Sequence, residues 1–194
     1  MALDASSWVA HVPDWVPDEA ALMERLLNEL PLKQETLKIL GKDVLTPRLT
    51  GWFGDADARY VYSKTLFVPE PWTPGLSALR GRLFDALGVY FNGVLANHYR
   101  GGDDAMGWHS DDEKELGPRA PDDVLIASVS LGAKRRFLLK PRRGGTSLGW
   151  DLGGGDLFLM GGTTQRHYVH RLARTAKAVG PRLNLTFRIV CGDR

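Results

Sequence analysis

Residues 182–188 read RLNLTFR. Alternation sends Arg182, Asn184, Thr186 and Arg188 to one face of a strand and Leu183, Leu185 and Phe187 to the other. Two guanidiniums on one face, with an amide and a hydroxyl between them, can grip a small dicarboxylate. Arginine binds a carboxylate bidentately, which fixes its orientation as well as its charge. Upstream, most of the chain after Gly88 has the same character. Phe91–Arg100, Val124–Leu131, Arg136–Lys140, Asp156–Met160, Arg166–Leu172 and Leu183–Val190 are short, alternating or β-branched, and bounded by Gly, Pro and Asp.

Two helices are expected before this run. Pro17-Asp18-Glu19 opens the first, Leu22, Leu26, Leu27 and Leu30 give it an apolar stripe, and Pro31 stops it. The second runs from about Gly75 to Leu87, with Leu76, Leu79, Leu83, Phe84 and Leu87 at helical spacing and Gly88 as its stop. The first 16 residues read as an irregular lead-in, and 48–68 holds a hairpin. The pattern is mainly β with flanking helices packed on one face of a sandwich or jelly roll. A single domain is expected: a lead-in and first helix over 1–46, then the core over 47–194.

The 194 residues include 43% apolar and 25% charged residues, as in an ordinary globular protein. No apolar run reaches the roughly 18–20 residues of a membrane helix, and the N-terminus lacks the basic-then-apolar pattern of a signal peptide. One cysteine, Cys191, excludes an intrachain disulfide and a multi-cysteine zinc site, and suits a reducing compartment. The net charge of +2 conceals an asymmetry. Residues 1–122 hold 12 Lys and Arg against 19 Asp and Glu, a net of −7, and residues 123–194 hold 13 against 4, a net of +9. The basic half favours a polyanionic partner.

His109-Ser110-Asp111 places an imidazole and a carboxylate two residues apart, on one side of a strand or its end. With a second, distant histidine this makes the two-histidine, one-carboxylate set of non-haem ferrous oxygenases. The other histidines are His11, His98, His167 and His170. Asn97 and Tyr99 share a strand face with Leu95, and both can hydrogen-bond an acid.

N-x-Y, H-x-D, a distal histidine and R-x-N-x-T-F-R, in this order, resemble the AlkB family of Fe(II)- and 2-oxoglutarate-dependent dioxygenases. The resemblance spans roughly residues 47–190 and includes 47–50 (PRLT), 60–63 (YVYS) and 126–132 (IASVSLG). It implies a double-stranded β-helix (jelly-roll) core, Fe(II), 2-oxoglutarate as cosubstrate and O2. It implies oxidative removal of methyl groups from 1-methyladenine and 3-methylcytosine in DNA, releasing formaldehyde, succinate and CO2. Carried across, His109, Asp111 and His170, rather than His167, would hold iron. Arg182, Arg188, Asn97, Tyr99, Leu95, Ser128 and Asn184 would bind 2-oxoglutarate.

The segment 47–68 matches the family's base-recognition lid. Trp52, Phe53 and Tyr60 are candidates for stacking on a flipped-out base, with Trp52 or Phe53 against His109. Glu113 could accept a hydrogen bond from the base's exocyclic amine. Lys134, Arg135, Arg136 and Arg142 would hold the nucleic-acid backbone without reading sequence. The expected partner is alkylated DNA, with RNA as the alternative; a monomer is expected, cytoplasmic in a bacterium or nuclear in a eukaryote. The same chemistry on tRNA bases or a protein side chain, or a non-catalytic binding module on this fold, are the competing functions.

Overall fold

A computed structural model describes residues 1–39, 42–62, 65–117 and 119–191; the side chains of 37–43 and 60–67 lie outside what is described. The order of elements is β1 (Ser7–Val12), α1 (Glu19–Glu29), β2 (Thr36–Ile39), β3 (Lys42–Leu45), β4 (Leu49–Gly54), β5 (Tyr60–Tyr62), β6 (Thr65–Phe67), α2 (Pro74–Leu87), β7 (Gly93–Tyr99) and β8 (Met106–His109). It continues with β9 (Ile126–Gly132), β10 (Arg135–Pro141), β11 (Leu148–Leu152), β12 (Asp156–Gly162), α3 (Thr164–His167), β13 (Tyr168–Leu172) and β14 (Arg182–Arg188).

The strands form a six-stranded sheet, in the order β1-β12-β9-β14-β7-β4, and a four-stranded sheet, β11-β10-β13-β8. Every pairing in both is antiparallel. Strands 9, 12 and 14 lie in the large sheet while strands 8, 10, 11 and 13 lie in the small one, so the chain crosses repeatedly between two facing layers. This is the jelly-roll arrangement. β2–β3 and β5–β6 are separate hairpins.

One face of the large sheet packs on the helices. Leu26 of α1 and Leu76, Leu79 and Leu83 of α2 meet Phe53, Val94, Ala96, Val129, Leu183, Leu185 and Phe187 in one cluster. Burying each large side chain contributes about 1.5–3 kcal/mol. α2 has clear ends. The Thr73 hydroxyl accepts from the Leu76 N–H at 3.4 Å, Pro74 occupies the first turn, and Gly88 closes the helix in the left-handed region at φ 65°. Phe84, expected on the apolar stripe, points to solvent and is 50% exposed. In α1 the buried positions are Met23 and Leu26.

The lead-in is not irregular throughout. Residues 7–12 form an edge strand paired in register with β12, Ser7 opposite Gly162 and Val12 opposite Leu157. Val9 is buried in a second apolar cluster, with Ile126, Phe158 and Met160, and the N-terminal amine donates to its carbonyl at 2.7 Å. The hairpin expected within 48–68 is β5–β6, whereas β4, in the same segment, belongs to the large sheet, pairing with β7 from Leu49 opposite His98 to Gly54 opposite Gly93. Gly93 is required there, because a Cβ would sit 2.4 Å from the Trp52 ring. The segment expected as one strand over 166–172 is divided: α3 ends at His167 and β13 begins at Tyr168.

Candidate active site between the two sheets

The second face of the large sheet is covered by the small sheet; it is polar along β14, and beside that Trp52, Ile126, Phe158 and Met160 pack on Leu139 and Leu152 of the small sheet. Arg182, Asn184, Thr186 and Arg188 are 2%, 8%, 8% and 4% exposed, so the polar face of β14 is as inaccessible as its apolar one. A cleft here is lined by Leu95, Asn97, Tyr99, Ser128, Arg182 and Asn184, and at its other end by Arg188, His109, Asp111 and His170. Met106, Phe137, Met160, Leu172 and Thr186 complete the walls.

The two histidines are placed by strand pairing. β8 and β13 are neighbours, with His109 directly opposite His170, and their ring centroids are 4.2 Å apart. Asp111 lies two residues beyond β8; its carboxylate is 3.6 Å from His170 Nε2 and accepts from Arg188 at 2.5 Å. One ligand atom from each of the three lies within 4.8 Å of the others. His109 Nδ1 is 2.8 Å from the Gly107 carbonyl. A carbonyl only accepts, so Nδ1 carries the proton and Nε2 keeps its lone pair for a metal. His167 is on the surface beside Asp4, 3.7 Å away.

The electrostatics suit a cation. Burial, together with the neighbouring His109, lowers His170 to about 3. Burial also lowers His109. Both rings are therefore neutral at neutral pH, the form that ligates. Burial alone would raise Asp111, but Arg188 and then the two histidines outweigh it and hold the carboxyl below its usual range. Two neutral imidazoles and a carboxylate, with their ligand atoms gathered together, form a nitrogen-and-oxygen donor set that fits ferrous iron.

At the far end, Arg182 is fully buried. Its guanidinium donates to Ser130 Oγ and Asn184 Oδ1, each at 2.7 Å, and to the Leu152 carbonyl at 3.3 Å. Among the described residues no carboxylate lies within ion-pairing distance of it. Burial lowers it to about 10, still charged at neutral pH. A buried cation with only neutral partners has a strong demand for an anion. Ser128 Oγ donates to Asn184 Oδ1 at 3.1 Å, and Asn184 Nδ2 to Thr186 Oγ1 at 2.9 Å, so the wall between the two arginines is pre-ordered. Arg48, 7% exposed, was not anticipated; its Nε donates to Asn97 Oδ1 at 2.8 Å and orients that amide.

Phe53 does not face the site: it pairs with Val94 on the helix-facing side and is 1% exposed in the apolar core, so it presents no surface to a base. Trp52, one residue earlier, is on the opposite face, but it is buried and its indole N–H donates to the Ala58 carbonyl at 2.9 Å. It is a wall of the fold rather than an open stacking surface. The Tyr60 side chain lies outside the described residues. Glu113 is half-buried, with its Oε2 unpaired; burial raises its carboxyl to about 7, and Arg188 opposes the rise.

Arg135 does not belong to the phosphate-facing cations. It is 2% exposed and donates to the carbonyls of Gly101, Gly102, Asp104 and Ala173, so it fastens loops and cannot reach a phosphate. Arg136 pairs with Asp151 at 3.3 Å on the surface. Arg142 contacts Ser110 and Asp112, and Lys134 is exposed.

A sequence model of the 2OG-Fe(II) oxygenase superfamily matches residues 9–188. The mouse protein named DNA oxidative demethylase ALKBH2 is 38% identical over 160 residues, covering 78% of this chain and 65% of that protein. Human alpha-ketoglutarate-dependent dioxygenase alkB homolog 3 is 37% identical over 192 residues, covering 93% of this chain and 62% of that protein. This chain thus spans somewhat under two thirds of the length of these relatives. The solved structure of OsALKBH1 superposes with a TM-score of 0.68 at 17% identity, over 93% of this chain and 97% of that one, and shares its fold. With a profile match over nearly its whole length and these relatives, the chain belongs to the 2OG-Fe(II) oxygenase superfamily and, within it, to the AlkB family.

Proposed function

We propose that this chain removes N-methyl groups from alkylated nucleobases, 1-methyladenine and 3-methylcytosine in DNA, as a direct repair enzyme. The observation that carries the reading is the cleft itself. A buried guanidinium lacking an anion stands at one end and a neutral-His, ionised-Asp, neutral-His corner at the other. A five-carbon dicarboxylate with a keto-acid head is the ligand that would satisfy both ends. Arg182 would grip its distal carboxylate, Asn97 and Tyr99 would hydrogen-bond its body, and His109, Asp111 and His170 would hold Fe(II).

When bound, iron and 2-oxoglutarate together supply O2-driven oxidation of a C–H bond, with succinate and CO2 as the cosubstrate's products. The chain's own contribution is placement and exclusion of water. Arg188 keeps Asp111 ionised and aimed. The Gly107 carbonyl fixes the His109 tautomer. Phe137, Met160 and Leu172 close the cleft with apolar walls. Glu113, at the same end, would accept a hydrogen bond from the exocyclic amine of the methylated base and offset its positive charge. Two things support a nucleic-acid substrate: a net of +9 over residues 123–194 and the demethylase name of the mouse relative.

The test is a panel of single- and double-stranded DNA and RNA oligonucleotides carrying these lesions. They would be incubated with protein, Fe(II), 2-oxoglutarate and O2 and read by mass spectrometry. Loss of 14 mass units per lesion (one CH2; about that value for any N-methyl group) with matching succinate is expected on DNA. Succinate release with no oligonucleotide demethylated would refute the substrate class.

A further inference from the structure

The three candidate ligands are held by different means. His109 and His170 face each other across a strand pair, and the ladder sets their spacing. Asp111 has no such support, because β8 ends at His109. Its backbone N–H instead donates to Gln165 Oε1 at 3.0 Å, with both residues buried and Gln165 wholly inaccessible. Gln165 lies in α3, the short turn that precedes β13 and therefore His170. Its Nε2 contacts Met160 Sδ at 3.5 Å, which fixes the rotamer.

The same loop is closed from outside. Arg142 Nη2 donates to Ser110 Oγ, to Asp112 Oδ2 at 2.5 Å and to the Gln165 carbonyl at 3.1 Å. It therefore contacts both residues flanking Asp111 and the residue that accepts its N–H. α3 is itself anchored. Thr163 Oγ1 lies 2.8 Å from Ser7 Oγ, and Thr164 Oγ1 donates to the Gly161 carbonyl at 2.6 Å.

We infer that Gln165 and Arg142 are positioning residues for the metal site. Gln165 fixes the main chain of Asp111, and Arg142 clamps its two neighbours to α3. Arg142 thus serves the iron corner rather than a phosphate. This rests on the reading of Asp111 as an iron ligand. Partners of ligands, as distinct from the ligands, commonly change metal affinity by about 10–100-fold.

The experiment uses Co(II) as probe with the full metal-free chain. Calorimetry gives affinity, the visible bands report coordination geometry, and melting of the metal-free protein reports folding. Gln165→Leu is expected to weaken Co(II) by about 10–100-fold and alter the bands, with melting of the metal-free protein within a few degrees of wild type. Arg142→Ala, at a partly exposed position, is expected to weaken it by about tenfold with a similar change of bands. If Gln165→Leu does not fold, Arg142→Ala decides alone. Asp111→Ala is measured beside them. If it loses Co(II) while the other two keep wild-type affinity and bands, the ligand reading stands and this inference is overturned. Should Asp111→Ala itself bind as wild type does, the ligand reading fails and the inference with it.

Discussion

The two faces of β14 are equally buried and do opposite things. Leu183, Leu185 and Phe187 are fully inaccessible against the helices, and removing their surface from water is favourable at about 25 cal/mol per Å2. Arg182, Asn184, Thr186 and Arg188 gain nothing of that kind. Their burial is tolerable only because they hydrogen-bond one another, Ser130 and Asp111. A polar face hidden from water, on a strand whose other face already supplies the core, is there for a ligand. Substitutions on one face should appear in stability, and those on the other in binding.

The largest separation is expected at Arg182→Leu. Losing one side of a buried charge pair costs about 2–5 kcal/mol in binding, so the KM for 2-oxoglutarate should rise by about 30-fold or more. The melting temperature of the free protein should move far less, since relieving the desolvation of a buried charge offsets the loss of its hydrogen bonds to Ser130, Asn184 and the Leu152 carbonyl. A KM within threefold of wild type would break the comparison. Leu185→Ala, the neighbour on the other face, should cost about 2–5 kcal/mol of folding free energy in urea denaturation. Its KM for 2-oxoglutarate, measured on folded enzyme, should be unchanged.

The iron corner carries a pH signature in the metal-free chain. His109 and His170 are held neutral when folded and accept protons near pH 6.5 when unfolded. Below that pH the unfolded chain binds the extra protons, so stability falls as the medium is acidified. Glu113 opposes this: raised to about 7 in the fold, it takes up a proton on folding between its unfolded value and 7. Two histidines against one carboxyl leave a net loss of stability as the pH falls from 6 to 5. His98, also lowered by burial, adds to it. Asp111, held low, extends the loss as pH falls below about 4. A urea midpoint that stays flat from pH 7 to 5 would contradict the neutral-histidine corner.

The smallest expected effect is on the surface. Lys134→Gln should reduce the salt dependence of oligonucleotide binding by about one unit of slope. Arg135→Gln should instead damage folding, because four backbone carbonyls lose their donor. If the two variants changed the salt slope alike, Arg135 would be accessible after all.

Periodicity read well where one face met helices and the other met the cleft. The alternation in 182–188, the spacing in α2 apart from Phe84, and the shared face of Leu95, Asn97 and Tyr99 appear in the structure as written in the sequence. Three kinds of feature were not legible. Short or edge strands, such as 7–12 and the four residues of β8, carry too few positions to show a period. A one-residue difference inverts the face of a strand side chain, which is why Trp52 and Phe53 could not be told apart as site and core. Partners far apart in sequence leave no local trace: Arg48 with Asn97, Gln165 with Asp111, and Arg135 with four separate carbonyls. A run of cations looks alike in sequence, whether each one meets water or a carbonyl.

One measurement bears directly on the convergence of these groups. Crystals grown without oxygen, with Mn(II) in place of Fe(II) and with 2-oxoglutarate, would locate the metal by its anomalous scattering. One strong peak is expected within coordination distance of His109, Asp111 and His170, with the cosubstrate's far carboxylate on Arg182. A peak elsewhere, or density for 2-oxoglutarate that leaves Arg182 without an anion, would contradict it.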